Sequence, residues 1–190
     1  MKTTEPIRNK KQVRELKDYY IKRGEIRNHL MIVFGIYTAL RISDILRLTW
    51  DDVYDFENSR VRSCINIIEK KTGKSKIVAL NKSVIAAICI YLAAAKPSTP
   101  LIINRQTGNA ISRIQAYRII RAASESLRFQ NHVSCHSLRK TFGYHAWKGG
   151  VSPAVIMEIY NHSSLAVTRR YLGVTQDDKN AVYLGLTFSA

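Results

Sequence analysis

Apolar residues recur along this chain with two periods, and the change between them divides it. Val13, Leu16 and Tyr20 stand at helical spacing within Lys10 to Arg23, and Gly24 supplies a stop. Arg27 to Leu40 is apolar nearly all round, as in a helix buried in a core. It delivers Arg41 to the following turn, where Ser43 is the expected N-cap of a short helix reaching Leu48. After Trp50 the pattern becomes β-prone over Val53 to Phe56, Arg62 to Glu69 and Ser75 to Leu80, and Lys70 to Lys74 holds the glycine of a tight hairpin turn.

Helical patterning returns at Ser83 to Ala95, a strongly apolar run ended by Lys96 and Pro97. Leu101 to Asn104 reads as a short extended piece and Gln106 to Asn109 as a turn. Ser112 caps a helix to about Leu127 with Arg113, Arg118 and Arg121 on a basic side. Ser134 caps another to Trp147, closed by Gly149 and Gly150. Helices from Ser152 or Pro153 to Tyr160, Ala166 to Tyr171 and Asp177 to Leu184 complete the chain. The expected fold class is α+β, mostly helical, with a small antiparallel three-stranded sheet. It forms one domain over residues 1–190 that begins with a loose arm over residues 1–9.

Composition narrows the partners. A chain of 190 residues is long enough for one sizeable core, and 46% hydrophobic with 23% charged residues is ordinary for a globular domain. Thirty Lys plus Arg against fourteen Asp plus Glu leave a formal charge of +16, which favours a polyanion through counterion release. Nucleic acid fits better than an anionic membrane, because the basic residues are spread along the chain and not gathered on one amphipathic helix. Cys64, Cys89 and Cys135 are scattered and odd in number, against a disulfide framework or zinc site. A polar N-terminus and a longest apolar run of about half a membrane span lead to a cytoplasmic expectation.

The densest chemistry lies between His132 and Tyr171. His136 and Arg139 share a helical face near an N-terminus, where the helix dipole favours an anion, and His162 precedes Tyr171 by nine residues. Each taken alone is more simply structural. Together they suit phosphate chemistry, since a tyrosine hydroxyl attacks a phosphodiester only when cations hold its non-bridging oxygens. A metal site from His132, His136 and His145 lacks acidic partners. Gly73-Lys74-Ser75 is no phosphate-binding loop, because Ile68 occupies the position of the required first glycine.

The pattern His-x-x-Arg followed by His-x8-Tyr resembles the tyrosine recombinase, or phage integrase, family. Thr38 to Val53, with Arg41 and Asp44, is similar to the family's first box, and Lys70 to Leu80 to its hairpin with a catalytic lysine. The match runs from about residue 30 to 175. Asn161 departs from it, standing where the family commonly has glycine before the second histidine; asparagine tolerates the left-handed turn better than most residues.

The resemblance implies a site-specific DNA recombinase catalytic domain for integration, excision or inversion. Tyr171 is the expected nucleophile, forming a 3′-phosphotyrosyl link. Arg41 and Arg139 clamp the phosphate, His162 donates to it, Lys71 protonates the leaving oxygen, and His136 is a general base or phosphate donor. Asp44 supports Arg41. No metal or other cofactor is implied. The implied partners are double-stranded DNA at a recombination site, three further copies in a tetramer and an accessory DNA-bending protein. Residues 176–190 form a tail that docks on a neighbour, and the family's N-terminal core-binding domain is expected to be absent. Rival readings are a type IB topoisomerase and a non-catalytic DNA-binding regulator of the same fold.

Overall fold

The computed structural model describes residues 4–95, 97 and 99–186. Its centre is α2 (Ile26–Tyr37), whose Leu30 to Phe34 are all at most 1% exposed, the continuous burial that its unbroken apolar sequence requires. Around it pack α1 (Lys10–Ile21), α5 (Lys82–Ala94) and α7 (Cys135–Lys148). Gly35 sets the approach of α7: a Cβ there would lie 2.6 Å from Leu138 Cδ1. That close packing brings the end of α2, where Arg41 follows, beside the first turns of α7, where His136 and Arg139 sit.

Short elements fill the interval between these helices. Arg41 itself is the N-cap of α3 (Ile42–Ile45), so Ser43 lies inside the helix it was expected to begin. A Thr49/Asp52 capping box opens α4 (Trp50–Val53), a turn of helix at the edge of the stretch read as β-prone. Four strands follow: β1 (Tyr54–Asp55), β2 (Arg60–Val61), β3 (Cys64–Ile68) and β4 (Ser75–Ala79).

The strands correct the expected three-stranded sheet. β1 pairs only with β2, and β3 only with β4, in two separate antiparallel ladders. Arg62 to Glu69 reads as one strand, but the chain changes partner at Arg62 and Ser63: Arg62 N–H goes to Val53 O, whereas Ser63 O accepts from Leu80 N–H. In the β3–β4 hairpin the register is Cys64 opposite Ala79 through Ile68 opposite Ser75, with Gly73 at φ 67 in the turn.

The second half adds α6 (Arg113–Ser126), capped by Ser112 with Gln115, then α8 (Pro153–Tyr160), α9 (Leu165–Leu172) and α10 (Gln176–Gly185). Ala39, Ile156, Tyr160 and Leu172 form a small core of their own beside the main one, with Tyr171 packed against it. The anticipated loose arm is also corrected. Residues 4–9 lie on α7: Ile7 is buried, its N–H donates to Thr141 Oγ1 at 2.9 Å, and its carbonyl meets His145 Nε2 at 2.9 Å. Residues 1–3 fall outside the described residues, as do residues 187–190 of the tail.

No helix among the described residues is long and apolar enough to cross a membrane.

Candidate active site

The side chains that the sequence singles out converge on one cleft of about 910 Å³. Arg41, Lys71, His136, Arg139 and Tyr171 line it, together with Arg113, Ile114 and Tyr117 of α6. His162 reaches the group through Tyr171, their ring centroids 4.6 Å apart; the His136 ring stands edge-on to Tyr171 at 6.3 Å. Arg41, Lys71, His136, Arg139, His162 and Tyr171 come from five places in the chain: the N-cap of α3, the β3–β4 turn, the first turns of α7, the link after α8, and α9. No group of three potential metal-ligating side chains occurs among the described residues.

Arg139 is the most deeply set of them, 1% exposed despite its charge. Its Nη1 donates to Ala39 O and its Nη2 to Tyr160 O at 2.8 Å, and its guanidinium lies 4.5 Å from the centroid of the Tyr160 ring. Ala39 has φ 56, a left-handed conformation costly for a residue with a Cβ. The turn that bends the chain from α2 towards Arg41 thus also supplies one of the carbonyls that anchor Arg139. Arg139 Nε is buried with no hydrogen-bond partner among the described residues, a cationic donor suited to an anion. Burial, and then the nearby Arg41, lower its pKa to about 10, so it remains charged at neutral pH.

Arg41 is paired differently from expectation. Its Nη1 lies 2.9 Å from Glu69 Oε2, close enough for an ion pair but off the line of a good hydrogen bond. Asp44, anticipated as its support, instead accepts the Lys70 N–H on Oδ1 at 2.9 Å. Glu69, which the sequence reading took only as a strand end, is 0% exposed. Burial alone would raise its carboxyl, but the hydrogen bonds from Thr72 and Asn161 and the adjacent Arg41 charge outweigh that and hold its pKa below the usual value. Its signal in sequence is weak: a lone acid beside a lysine-rich turn reads as a solvated charge.

The two histidines are held neutral. Withdrawal from water first, and then Arg139 and Arg41, lower His162 to about 4. The same causes, with Lys140 and Arg113, lower His136; because that residue stays exposed overall, the four cations are the firmer cause. His162 Nδ1 meets Thr168 Oγ1 at 3.1 Å, while the alternative acceptor for that hydroxyl, Ser164 O, is at a marginal 3.5 Å. Thr168 therefore donates best to Nδ1, which leaves the proton on Nε2.

Two further residues, Lys140 and Lys76, have no role in the sequence reading, and Asn161 makes a contact that reading did not foresee. Lys140 places Nζ 5.6 Å from the centroid of the Tyr171 ring. Lys76 donates to Ile159 O at 2.6 Å from behind the site; burial, then Arg139, lower its pKa to about 8. Asn161 takes the left-handed conformation anticipated for it, at φ 52 and ψ 40, and its Nδ2 donates to Glu69 Oε2 at 3.1 Å. Cys135 also lines the cleft, but burial pushes its thiol up to about 11, far from a thiolate at neutral pH.

Comparison with known proteins agrees with this geometry. The family model described as "Phage integrase family" matches residues 8–177. A probable integrase/recombinase of Bacillus subtilis (strain 168), YoeC, is 36% identical over 183 residues, which cover 96% of this chain and 97% of that protein. The tyrosine recombinase XerD of Corynebacterium glutamicum is 28% identical over 85% of this chain, but the match spans 53% of its own length. The chain thus spans about half the length of that relative. The XerH site-specific recombinase, solved in a post-cleavage complex with a palindromic difH substrate, superposes with a TM-score of 0.74. It is 18% identical, and the match covers 97% of this chain and 55% of that one. With the matched model extending over every segment that contributes to this site, this chain belongs to the phage integrase family.

Proposed function

We propose that the chain is the catalytic domain of a site-specific DNA recombinase that cuts and rejoins strands through a 3′-phosphotyrosyl intermediate. The observation that carries this reading is the convergence of Arg41, Lys71, His136, Arg139 and Tyr171 on one cleft with His162 against the tyrosine ring. The formal charge of +16 and the DNA-bound state of XerH support DNA as the partner.

In this mechanism the Tyr171 oxygen attacks the scissile phosphorus as the bond to the 5′-oxygen breaks. The tyrosine proton passes to His136, whose depressed pKa keeps the ring neutral and able to accept it. Arg41 and Arg139 bind the non-bridging oxygens, where charge accumulates, and His162 adds a hydrogen bond from Nε2. Lys71 gives a proton to the departing 5′-oxygen, leaving a free 5′-hydroxyl. Rejoining reverses these steps with a partner strand's hydroxyl, so the phosphodiester energy is kept in the covalent link.

Strand exchange between two duplexes takes four active sites, so the working form is a tetramer on DNA, assisted by a DNA-bending protein where the duplex must be folded. A cytoplasmic setting, beside the chromosome, goes with this reading.

The test is a nicked recombination-site DNA that traps the 3′ link, read as a protein–DNA band surviving denaturation. Tyr171→Phe removes one hydroxyl, so folding and DNA binding persist and the band disappears. Arg139→Lys keeps charge but loses the planar fork, so the band forms slowly. A band from Tyr171→Phe at the wild-type rate defeats the assignment.

A further inference from the structure

The turn that carries Lys71 is fastened on both sides of that residue. On one side the Lys70 N–H donates to Asp44 Oδ1 at 2.9 Å; on the other, Thr72 Oγ1 donates to Glu69 Oε2 at 2.8 Å. The turn also closes on itself, Gly73 N–H to Glu69 O at 2.9 Å and Glu69 N–H to Lys74 O at 3.0 Å. Lys71 is exposed between these ties. A lysine side chain has four rotatable bonds, so where its ammonium dwells depends on how firmly its backbone is aimed.

Glu69 does more than close a hairpin. Its Oε2 receives Thr72 and Asn161 and lies against Arg41, whereas its Oε1 is buried with no hydrogen-bond partner among the described residues. Balancing the Arg41 charge needs neither Thr72 nor Asn161. Concentrating two hydrogen bonds and an ion pair on one oxygen while the other stays unpaired costs stability, and it orients the carboxylate towards the junction of three segments. Those segments are the start of α3 with Arg41, the turn with Lys71, and the link that leads into His162.

We infer that Glu69 is a positioning residue for Lys71: it holds the turn through Thr72 and fixes that turn against the Arg41 and His162 segments through Arg41 and Asn161. The inference rests on the recombinase reading above, in which Lys71 supplies the proton to the leaving 5′-oxygen. Thr72 is the separable part of the device, because its loss leaves the Arg41–Glu69 pair intact. Glu69→Gln disturbs both functions at once.

The experiment compares trapping rates on the nicked site with an ordinary 5′-oxygen and with a bridging 5′-sulfur at the scissile phosphate. A thiolate leaves without a proton because thiols are far more acidic than alcohols, so the sulfur substrate removes the need for Lys71 and leaves the need for Arg41 and Arg139. Thr72→Val and Lys71→Ala should each slow the oxygen substrate by about 10-fold or more and cleave the sulfur substrate at the wild-type rate. Thr72→Ser, which restores the hydroxyl, should recover the oxygen rate, and Arg139→Lys should be slow on both. Glu69→Gln should be slow on both, with the larger loss on oxygen. Thr72→Val matching wild type on oxygen, or slowed equally on both, overturns the inference and leaves the recombinase reading standing. Wild-type protein that forms no adduct with either substrate overturns that reading and the inference with it. Lys71→Ala without sulfur rescue removes the proton-donor role on which the inference depends.

Discussion

Arg139 and Tyr160 hold each other by exchange: the Tyr160 phenol donates to the Arg139 carbonyl at 2.6 Å, and Arg139 Nη2 donates to the Tyr160 carbonyl at 2.8 Å. Each side chain bonds the other's backbone, and the guanidinium also lies over the ring. Tyr160 is 0% exposed, and burial raises its phenol well above the usual tyrosine range. That arrangement makes Tyr160 part of the arginine's mounting and leaves its hydroxyl unsuited to attack a phosphate. Tyr160→Phe should lose about 1 kcal/mol in urea unfolding and still form the trapped adduct. Loss of the adduct with the fold intact would show that the Tyr160 hydroxyl takes part in the chemistry.

Gly143 gives this pair its room. A Cβ at that position would sit 2.3 Å from Tyr160 Oη and 2.9 Å from its Cζ. Gly143→Ala should therefore cost about 1–3 kcal/mol, the usual penalty of overpacking a filled core, and should slow cleavage more than Tyr160→Phe, because the displaced ring carries Arg139 with it. In the double variant the missing hydroxyl should return part of the stability. Equal stability of Gly143→Ala and wild type would contradict the close approach.

Much of the site was legible because its residues are few, chemically distinctive and ordered along the chain. Spacing and resemblance alone name Arg41, Lys71, His136, Arg139 and Tyr171, which line the cleft, and His162, which packs against Tyr171, as candidates. Helices with a continuous apolar stripe, such as α2 and α5, were equally plain. Contacts made at long sequence separation were not. Nothing near Glu69 in the chain says that Arg41 and Asn161 will meet it, since the separations are 28 and 92 residues. The strand that changes partner at Arg62 and Ser63 was hidden for a similar reason: β propensity records a tendency to extend and does not say which strand accepts the bonds. The α4 turn did leave a local trace, the Thr49/Asp52 capping box, in residues otherwise taken for the approach to a strand.

Asn161 allows backbone and side-chain effects to be separated. Its left-handed φ of 52 is free of penalty for glycine and costs alanine about 1–2 kcal/mol. Asn161→Gly keeps the turn and loses the bond to Glu69, whereas Asn161→Ala loses both. The alanine variant should therefore melt below the glycine variant. Identical melting temperatures would show that the turn does not need its left-handed residue.

Acid should weaken the fold before the carboxylates are neutralised. Burial is the first cause lowering the pKa of His29, His136, His145 and His162 from the ordinary 6.5, with His162 reaching about 4. Between those values the unfolded chain binds protons that the folded chain refuses, so stability present above pH 6.5 is lost as pH falls towards 4. Urea midpoints should decline steadily from pH 7 to 4.5, and His162→Phe should flatten part of that decline. Midpoints constant over this window would refute the neutral state of these rings in the folded chain.

The tail offers the sharpest separation of folding from assembly. No residue of α10 is buried, and Val182, Tyr183 and Leu184 are 68%, 80% and 84% exposed, an apolar face uncovered on the isolated chain. Among the described residues its side-chain tie to the body is the Lys148–Asp178 ion pair, and the Lys148 end of that pair lies open to solvent. A pair with one end in water contributes little to stability, so deletion from Gln176 onward should leave the melting temperature nearly unchanged. Binding to a single half-site and trapping of Tyr171 should also persist, because among the described residues the cleft draws none of its lining from the tail. If α10 covers its apolar face on the next copy in a tetramer, the deletion should abolish stable two-duplex complexes in sedimentation and with them recombination. Wild-type recombination by the shortened chain would remove α10 from the assembly, and loss of half-site binding would show that it supports the fold or the DNA contact instead.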